Sequence, residues 1–148
     1  MLIGIPPILG PDLLHALRSM GHGDEIAIVD GNYPAQEHAR RLVRADGHGL
    51  LALMSAILQV LPLDRSTPAA IFRAALDNDP DRSGPIHRAI DALCREQTPE
   101  FVPEALDGTR LYARIRAAHT VVASGESALF ANVILRKGVI VAAEPPET

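Results

Sequence analysis

The chain has 148 residues, of which 47% are hydrophobic and 3% aromatic, and its formal net charge is −4 at pH 7. This composition predicts a single domain with a largely aliphatic core and disfavours nucleic-acid binding. The single cysteine, Cys94, excludes a disulfide framework and a thiolate metal cluster. Because no segment has the pattern of a signal peptide or the length of a membrane span, we expect a soluble, cytoplasmic protein.

The first half of the chain predicts helices around one buried strand. Apolar residues at helical spacing follow Pro11 and end before Gly21, which predicts a helix. Residues 25–29 form a nearly continuous apolar run, typical of a strand covered on both faces. Residues 35–43 carry mixed charge and predict a short exposed helix. Residues 50–61 are apolar almost all round, which predicts a helix in the core or at a subunit contact.

The second half alternates helices with β-rich runs. Pro85 is expected to begin one helix and Asp107 to cap another at its N-terminus. The remaining elements are a solvated polar loop at 77–81 and predicted strands at 100–103, 119–123, 133–135 and 139–142. Strands that alternate with helices indicate a single-domain α/β sandwich, with helices around a largely parallel sheet.

Two residues that flank the first predicted strand are candidates for proton transfer. Asp30 follows that strand, where ligands of open α/β sheets bind, and His22 precedes it with a side chain suited to titration near neutral pH. The strand separates them by roughly 15 Å or more, so a shared site requires the histidine loop to fold back or a second subunit to contribute. A simpler interpretation is that Gly21 ends a helix and Asp30 caps a turn.

Two motifs near the ends of the chain resemble those of a known family. The first is GHGDE at residues 21–25, followed by Asp30 and Pro34, and the second is GESALFANVILRKGV at residues 125–139. On these motifs the chain resembles the fucose mutarotase and ribose-utilisation protein family (FucU/RbsD-like sugar mutarotases), and its fucose branch more than its ribose branch. The resemblance implies the RbsD-like fold and a strand within residues 68–76, although the alanines there favour helix.

The resemblance also implies an activity and roles for individual residues. The activity is interconversion of the α and β anomers of a reducing sugar, L-fucose or a similar one, without cofactor or metal. His22 matches the proton donor, Asp30 and Asp64 match catalytic or sugar-binding carboxylates, and Tyr112 and Asn132 match sugar-contacting residues. The family further implies ring-shaped homo-oligomers, of which a decamer is one candidate, with sites completed at subunit interfaces.

Three departures from the family pattern leave the substrate open. Phe130 occupies a substrate-contacting position where the family usually has a tyrosine, and Ala131 stands where the fucose branch has a glycine. The family arginine near the site tyrosine aligns with Gly108, and Arg110 lies nearby but is displaced. An alternative function is therefore a non-catalytic monosaccharide-binding protein associated with sugar uptake. His22 favours catalysis, because binding alone does not need a titrating group.

Overall fold

The structure is a computed structural model that describes residues 1–147, and its centre is a six-stranded sheet. The strands are β1 Glu25–Val29, β2 Leu42–Ala45, β3 Ile71–Arg73, β4 Glu104–Ala105, β5 Thr120–Ser124 and β6 Val133–Arg136. Their order across the sheet is β2-β5-β1-β6-β3-β4. Only β6 runs antiparallel to its neighbours, β1 and β3, so the largely parallel sheet predicted from the sequence is confirmed within these residues.

Helices cover both faces of this sheet. They are α1 Pro11–Ser19, α2 Ala35–His38, α3 Leu50–Leu58, α4 Pro85–Gln97 and α5 Gly108–Ala117. Alternate residues of β1 point to opposite faces: Ile26 and Ile28 pack with α1, α3 and α4, whereas Ala27 and Val29 pack with α2 and α5. The predicted α/β sandwich is thereby confirmed. None of these helices has the length and apolar character needed to cross a bilayer.

Several sequence predictions are confirmed with shorter bounds. The strand expected within residues 68–76 is Ile71–Arg73, and the helix expected over 50–61 is Leu50–Leu58. Leu53 and Ile57 of that helix are fully buried within this chain, so its apolar surface serves the core. Asp107 caps α5 as expected, since its carboxylate accepts a hydrogen bond from the backbone N–H of Arg110 at 3.0 Å.

One predicted helix is confirmed only in part, and two predicted strands are wrong. The short helix expected over 35–43 covers only Ala35–His38, and residues 42–43 begin edge strand β2, which pairs in parallel with β5; this pairing overrides the mixed-charge pattern. The short strand expected at 100–103 is instead the two-residue β4. Residues 139–142 form no strand despite their β propensity, and Ile140 and Val141 are 84% and 82% exposed.

Candidate functional site

Asp30 and Asn132 meet at the carboxyl edge of the sheet, because β1 ends just before Asp30 and antiparallel β6 begins just after Asn132. The Asp30 backbone N–H donates to Oδ1 of Asn132 at 2.9 Å. The Asp30 carboxylate accepts from the backbone N–H groups of Asn32 at 2.9 Å and Ala131 at 3.3 Å. Burial raises the pKa of Asp30 although these hydrogen bonds oppose the shift, which makes its carboxylate a stronger base than an exposed one.

Phe130 lies beside this pair in a left-handed backbone conformation with φ of 56°. This region is unfavourable for a residue with a side chain. His87 supports it, since its Nε2 donates to the carbonyl oxygen of Phe130 at 2.9 Å while its Nδ1 accepts from the N–H of Gly84 at 2.9 Å. A backbone N–H can only donate, so this geometry fixes the proton of His87 on Nε2. His87 is buried and was not recognised from the sequence.

Two tyrosines stack at the same edge of the sheet. The rings of Tyr33 and Tyr112 lie 5.3 Å apart between centroids with an interplanar angle of 27°. Tyr112 is 37% exposed, as expected for a residue beside the apolar stripe of α5, whereas Tyr33 is buried. Sequence reasoning missed Tyr33; its position in the turn directly after Asp30 was the available signal.

A cavity of about 550 Å³ opens beside Asp30. Its lining includes Asp30, Gly31, Tyr33, Glu37, Arg44 and Ser124. This volume lies within the range of small-molecule sites, and the mixture of carboxylate, hydroxyl and guanidinium groups suits a polyhydroxylated ligand.

His22 and Asp64 form a second cluster at the amino edge of the sheet. His22 Nε2 lies 3.2 Å from Oδ1 of Asp64, which is buried. The hydroxyl of Ser66 donates to Asp64 Oδ1 at 2.7 Å, and Arg136 Nε donates to Oδ2 at 2.8 Å. These two groups hold the pKa of Asp64 well below its usual range. Since an ionised carboxylate only accepts, His22 must carry a proton on Nε2, and Nδ1 is its remaining nitrogen.

Gly23 allows the histidine loop to lie against β6. Its φ is +85°, and a Cβ atom built there would lie 3.0 Å from Nη2 of Arg136. Arg136 also lies 3.6 Å from Glu25, which Arg114 binds through two hydrogen bonds at 2.8 and 2.7 Å. The backbone conformation therefore favours glycine at this position, and any side chain there would also have to displace the guanidinium of Arg136.

The structure thus divides the predicted site residues into two groups. The carboxyl-edge group comprises Asp30, Tyr112, Phe130 and Asn132, and the amino-edge group comprises His22 and Asp64. The five residues of β1 separate His22 from Asp30, a distance of roughly 15 Å or more. Arg110 joins neither group, because its guanidinium lies 3.5 Å from Glu104 at an exposed position.

The sequence and fold match one known family. The model of the RbsD / FucU transport protein family matches residues 3–140. The chain belongs to the RbsD/FucU family. It is similar to human fucose mutarotase, with 38% identity and 94% of each chain covered.

Two solved structures extend this family relationship to the fold. FucU from Bifidobacterium longum matches with a TM-score of 0.85 and 37% identity, covering 93% of this chain and 99% of that one. The fucose mutarotase of Streptococcus pneumoniae, solved in complex with L-fucose, matches with a TM-score of 0.80 and 35% identity, covering 95% of this chain and all of that one.

In this member of the RbsD/FucU family, His22 borders a second, more apolar cavity of about 520 Å³. Its apolar lining includes Leu14, Leu17, Val60, Leu61, Val139 and Ile140. Within residues 1–147, no group of three or more histidine, cysteine or carboxylate side chains is arranged to hold a metal ion. The chemistry that these side chains offer is proton transfer, by a buried carboxylate at one edge of the sheet and a half-exposed imidazole at the other.

Proposed function

We propose that this protein is a monosaccharide mutarotase that interconverts the α and β anomers of L-fucose or a similar reducing sugar. The observation that carries this proposal is the 38% identity with human fucose mutarotase over 94% of both chains. The relative from Streptococcus pneumoniae that was solved with L-fucose supports the substrate class.

The reaction needs only the transfer of protons. A base removes the proton of the anomeric hydroxyl while an acid protonates the ring oxygen, so that the bond between C1 and the ring oxygen breaks and C1 becomes a carbonyl carbon. Rotation about the C1–C2 bond presents the other face of the carbonyl. Ring closure then reverses both proton transfers and gives the other anomer, with no change in oxidation state.

We assign the two proton-transfer roles to Asp30 and His22. The raised pKa of the Asp30 carboxyl favours its action as the base at the anomeric hydroxyl. His22 acts as the acid in its imidazolium form: its Nε2–H stays hydrogen-bonded to Asp64, and the proton on Nδ1 passes to the ring oxygen. The Oδ1 atom of Asn132 is engaged by the Asp30 N–H, so the Asn132 amide NH2 is the group that donates to a sugar hydroxyl.

The separation of His22 from Asp30 implies that two copies of the chain share each site. One copy supplies the Asp30 cavity, and a neighbouring copy supplies His22 with Asp64. The exposed apolar residues Val139, Ile140 and Val141 support this arrangement, because two of them border the cavity next to His22 and a neighbouring copy would cover them. We infer a ring-shaped homo-oligomer, and a cytoplasmic location stays a prediction.

Saturation-transfer NMR of anomer exchange tests the activity with L-fucose, ribose, galactose and rhamnose. We expect the protein to accelerate exchange of one of them, and His22→Ala to abolish the acceleration. Sugar binding without faster exchange would overturn the mutarotase proposal in favour of the monosaccharide-binding alternative, which the phenylalanine at position 130 motivates. Neither binding nor exchange with any of the four would overturn both.

Complementation between two inactive variants tests the shared site. His22→Ala and Asp30→Asn are expected to be inactive alone, but co-expressed copies that assemble together would form some sites with both residues intact. Random mixing restores about one quarter of the wild-type sites if each site is shared by two copies. Absence of restored exchange in isolated mixed assemblies would show that each site lies within one chain.

A further inference from the structure

Tyr33 has a hydrogen-bonded setting that the proposed proton transfers do not use. Its hydroxyl oxygen lies 2.8 Å from Nδ1 of His38, and the two rings meet edge to face with centroids 5.3 Å apart. Tyr33 also lines the cavity beside Asp30 and stacks on Tyr112. Its ring is therefore held from two sides at the wall of the cavity.

The other nitrogen of His38 fixes the direction of the hydrogen bond to Tyr33. Nη2 of Arg116 lies 3.0 Å from Nε2 of His38. A guanidinium can only donate, so Nε2 must be the unprotonated nitrogen of the neutral ring, and Nδ1 carries the proton. His38 therefore donates to the oxygen of Tyr33 and does not accept from it.

This direction leaves the hydroxyl proton of Tyr33 free to donate elsewhere. Within residues 1–147, His38 is the one hydrogen-bond partner of that hydroxyl. Burial raises the pKa of Tyr33 to about 12, so the phenol keeps its proton at neutral pH. A phenol that accepts from an imidazole N–H is also a better donor through its own proton, because successive hydrogen bonds polarise one another.

We propose that Tyr33 is a sugar-binding residue that donates a hydrogen bond to a hydroxyl oxygen of a monosaccharide in the cavity beside Asp30, and that His38 and Arg116 are positioning residues. This inference rests on the proposed function and deepens it, because it adds a residue that determines specificity. The ligand atom is a neutral oxygen acceptor, which a sugar presents on every face. Phe130 has no hydroxyl to offer a sugar. Tyr33 belongs to the same hydrophobic cluster as Phe130 and does carry a hydroxyl.

Tyr33→Phe removes the hydroxyl and keeps the ring that stacks on Tyr112. We expect KM for the exchanged sugar to rise about 3- to 10-fold, as for loss of one neutral hydrogen bond, with kcat changed less than twofold. The penalty should disappear for the monodeoxy sugar that lacks the contacted hydroxyl. An unchanged KM in a variant with wild-type thermal stability would overturn the assignment.

A matched pair of substitutions tests His38. In His38→Asn the side-chain amide can place an N–H donor near the position of Nδ1, whereas His38→Leu fills the space without a donor. We expect His38→Leu to reproduce much of the KM increase of Tyr33→Phe, and His38→Asn to restore most of it. In the double variant Tyr33→Phe/His38→Leu, the effects should not add, because both remove one interaction. Additive effects, or equal KM for the asparagine and leucine variants, would contradict the positioning role.

The role of Arg116 has a spectroscopic test. The imidazole ¹⁵N spectrum of the wild-type protein should show the proton of neutral His38 on Nδ1, and Arg116→Met should lose this preference. A wild-type spectrum with the proton on Nε2 would overturn the positioning role of Arg116.

These results separate the inference from the proposed function. Faster exchange by wild type with an unaffected Tyr33→Phe variant overturns the inference alone. If wild type binds a sugar without accelerating exchange, the mutarotase proposal fails, and the Kd ratio between wild type and Tyr33→Phe still tests the contact. If wild type neither binds nor exchanges the four sugars, both fall.

Discussion

His22 and Asp64 form a hydrogen bond of 3.2 Å in which the carboxylate is held from its other side by Arg136. The buried carboxylate of Asp64 therefore fixes the orientation of the half-exposed imidazole of His22. Because Asp64 stays ionised, His22 keeps a proton on Nε2 to donate to it, and Nδ1 is the nitrogen that exchanges a proton with a sugar. The pair therefore resembles the carboxylate–histidine unit by which many enzymes select one tautomer.

His22→Ala should abolish acceleration of anomer exchange, because it removes one of two proton-transfer groups. The loss expected for a general acid or base is about 10²- to 10⁴-fold, measured by saturation-transfer NMR. His15→Ala is the matched control, since His15 is exposed on α1 and its imidazole has no place in either cluster. Equal loss of activity in both variants would indicate a general effect of histidine removal and contradict the assigned role.

Asp64→Asn should lower the free energy of unfolding at neutral pH, and the difference from wild type should shrink in acid. A carboxyl whose pKa is depressed in the folded state stabilises the fold above its unfolded pKa, near 3.9, and this contribution is lost as the pH falls through the folded value. Urea denaturation between pH 3 and pH 7 measures the effect.

Asp46→Asn is the control for this pH dependence. The hydrogen bonds from Arg44 also lower the pKa of Asp46, but both residues are exposed. Solvent screens such pairs, so the control should change the unfolding free energy less than Asp64→Asn. A larger pH-dependent loss in the control would contradict the importance of the buried carboxylate.

Ile140→Asp should weaken the assembly if neighbouring copies cover the segment at 139–141. Ile140 is 84% exposed and borders the cavity next to His22, and a charge buried there without a partner costs several kcal/mol. Light scattering coupled to gel filtration should show a smaller particle, with reduced exchange activity. Val102→Asp is the matched control, because Val102 is 79% exposed on a different segment and does not line that cavity; its particle size should stay unchanged.

Elements with a strong local signal in the sequence were predicted correctly. Elements that depend on the presence or absence of a distant strand partner were missed. The apolar run of β1 and the aspartate after it were recognised because both signals lie within a few residues. Residues 42–43 of strand β2 were assigned to the end of a helix, since the mixed charges of residues 35–43 favour a helix and only pairing with β5 makes this segment a strand. The segment at 139–142 has strand propensity without a described strand partner. Tyr33 and Tyr112 meet only through the packing of α5 on the sheet, which no local pattern reveals.

His87→Phe should destabilise the protein, because it removes the buried bridge between the N–H of Gly84 and the carbonyl of Phe130. Each buried polar group left without a partner costs about 1–3 kcal/mol. His87→Gln retains an amide N–H that can reach the carbonyl of Phe130 and should recover part of the loss. Chemical denaturation compares the variants, and equal stability of the phenylalanine variant and wild type would contradict the bridge.

The same substitution should also change the dependence of stability on pH. Burial lowers the pKa of His87. Neutral His87 therefore contributes its full stabilisation above the unfolded pKa of about 6.5, and the free energy of unfolding falls as the pH drops from there through the folded pKa. His119 contributes a slope of the same sign, because burial and the charge of Arg41 lower its pKa as well. Removing His87 should therefore reduce the decline in the free energy of unfolding between pH 7 and pH 5 without abolishing it. An unchanged slope would show that His87 is not the buried neutral imidazole that holds the Phe130 turn.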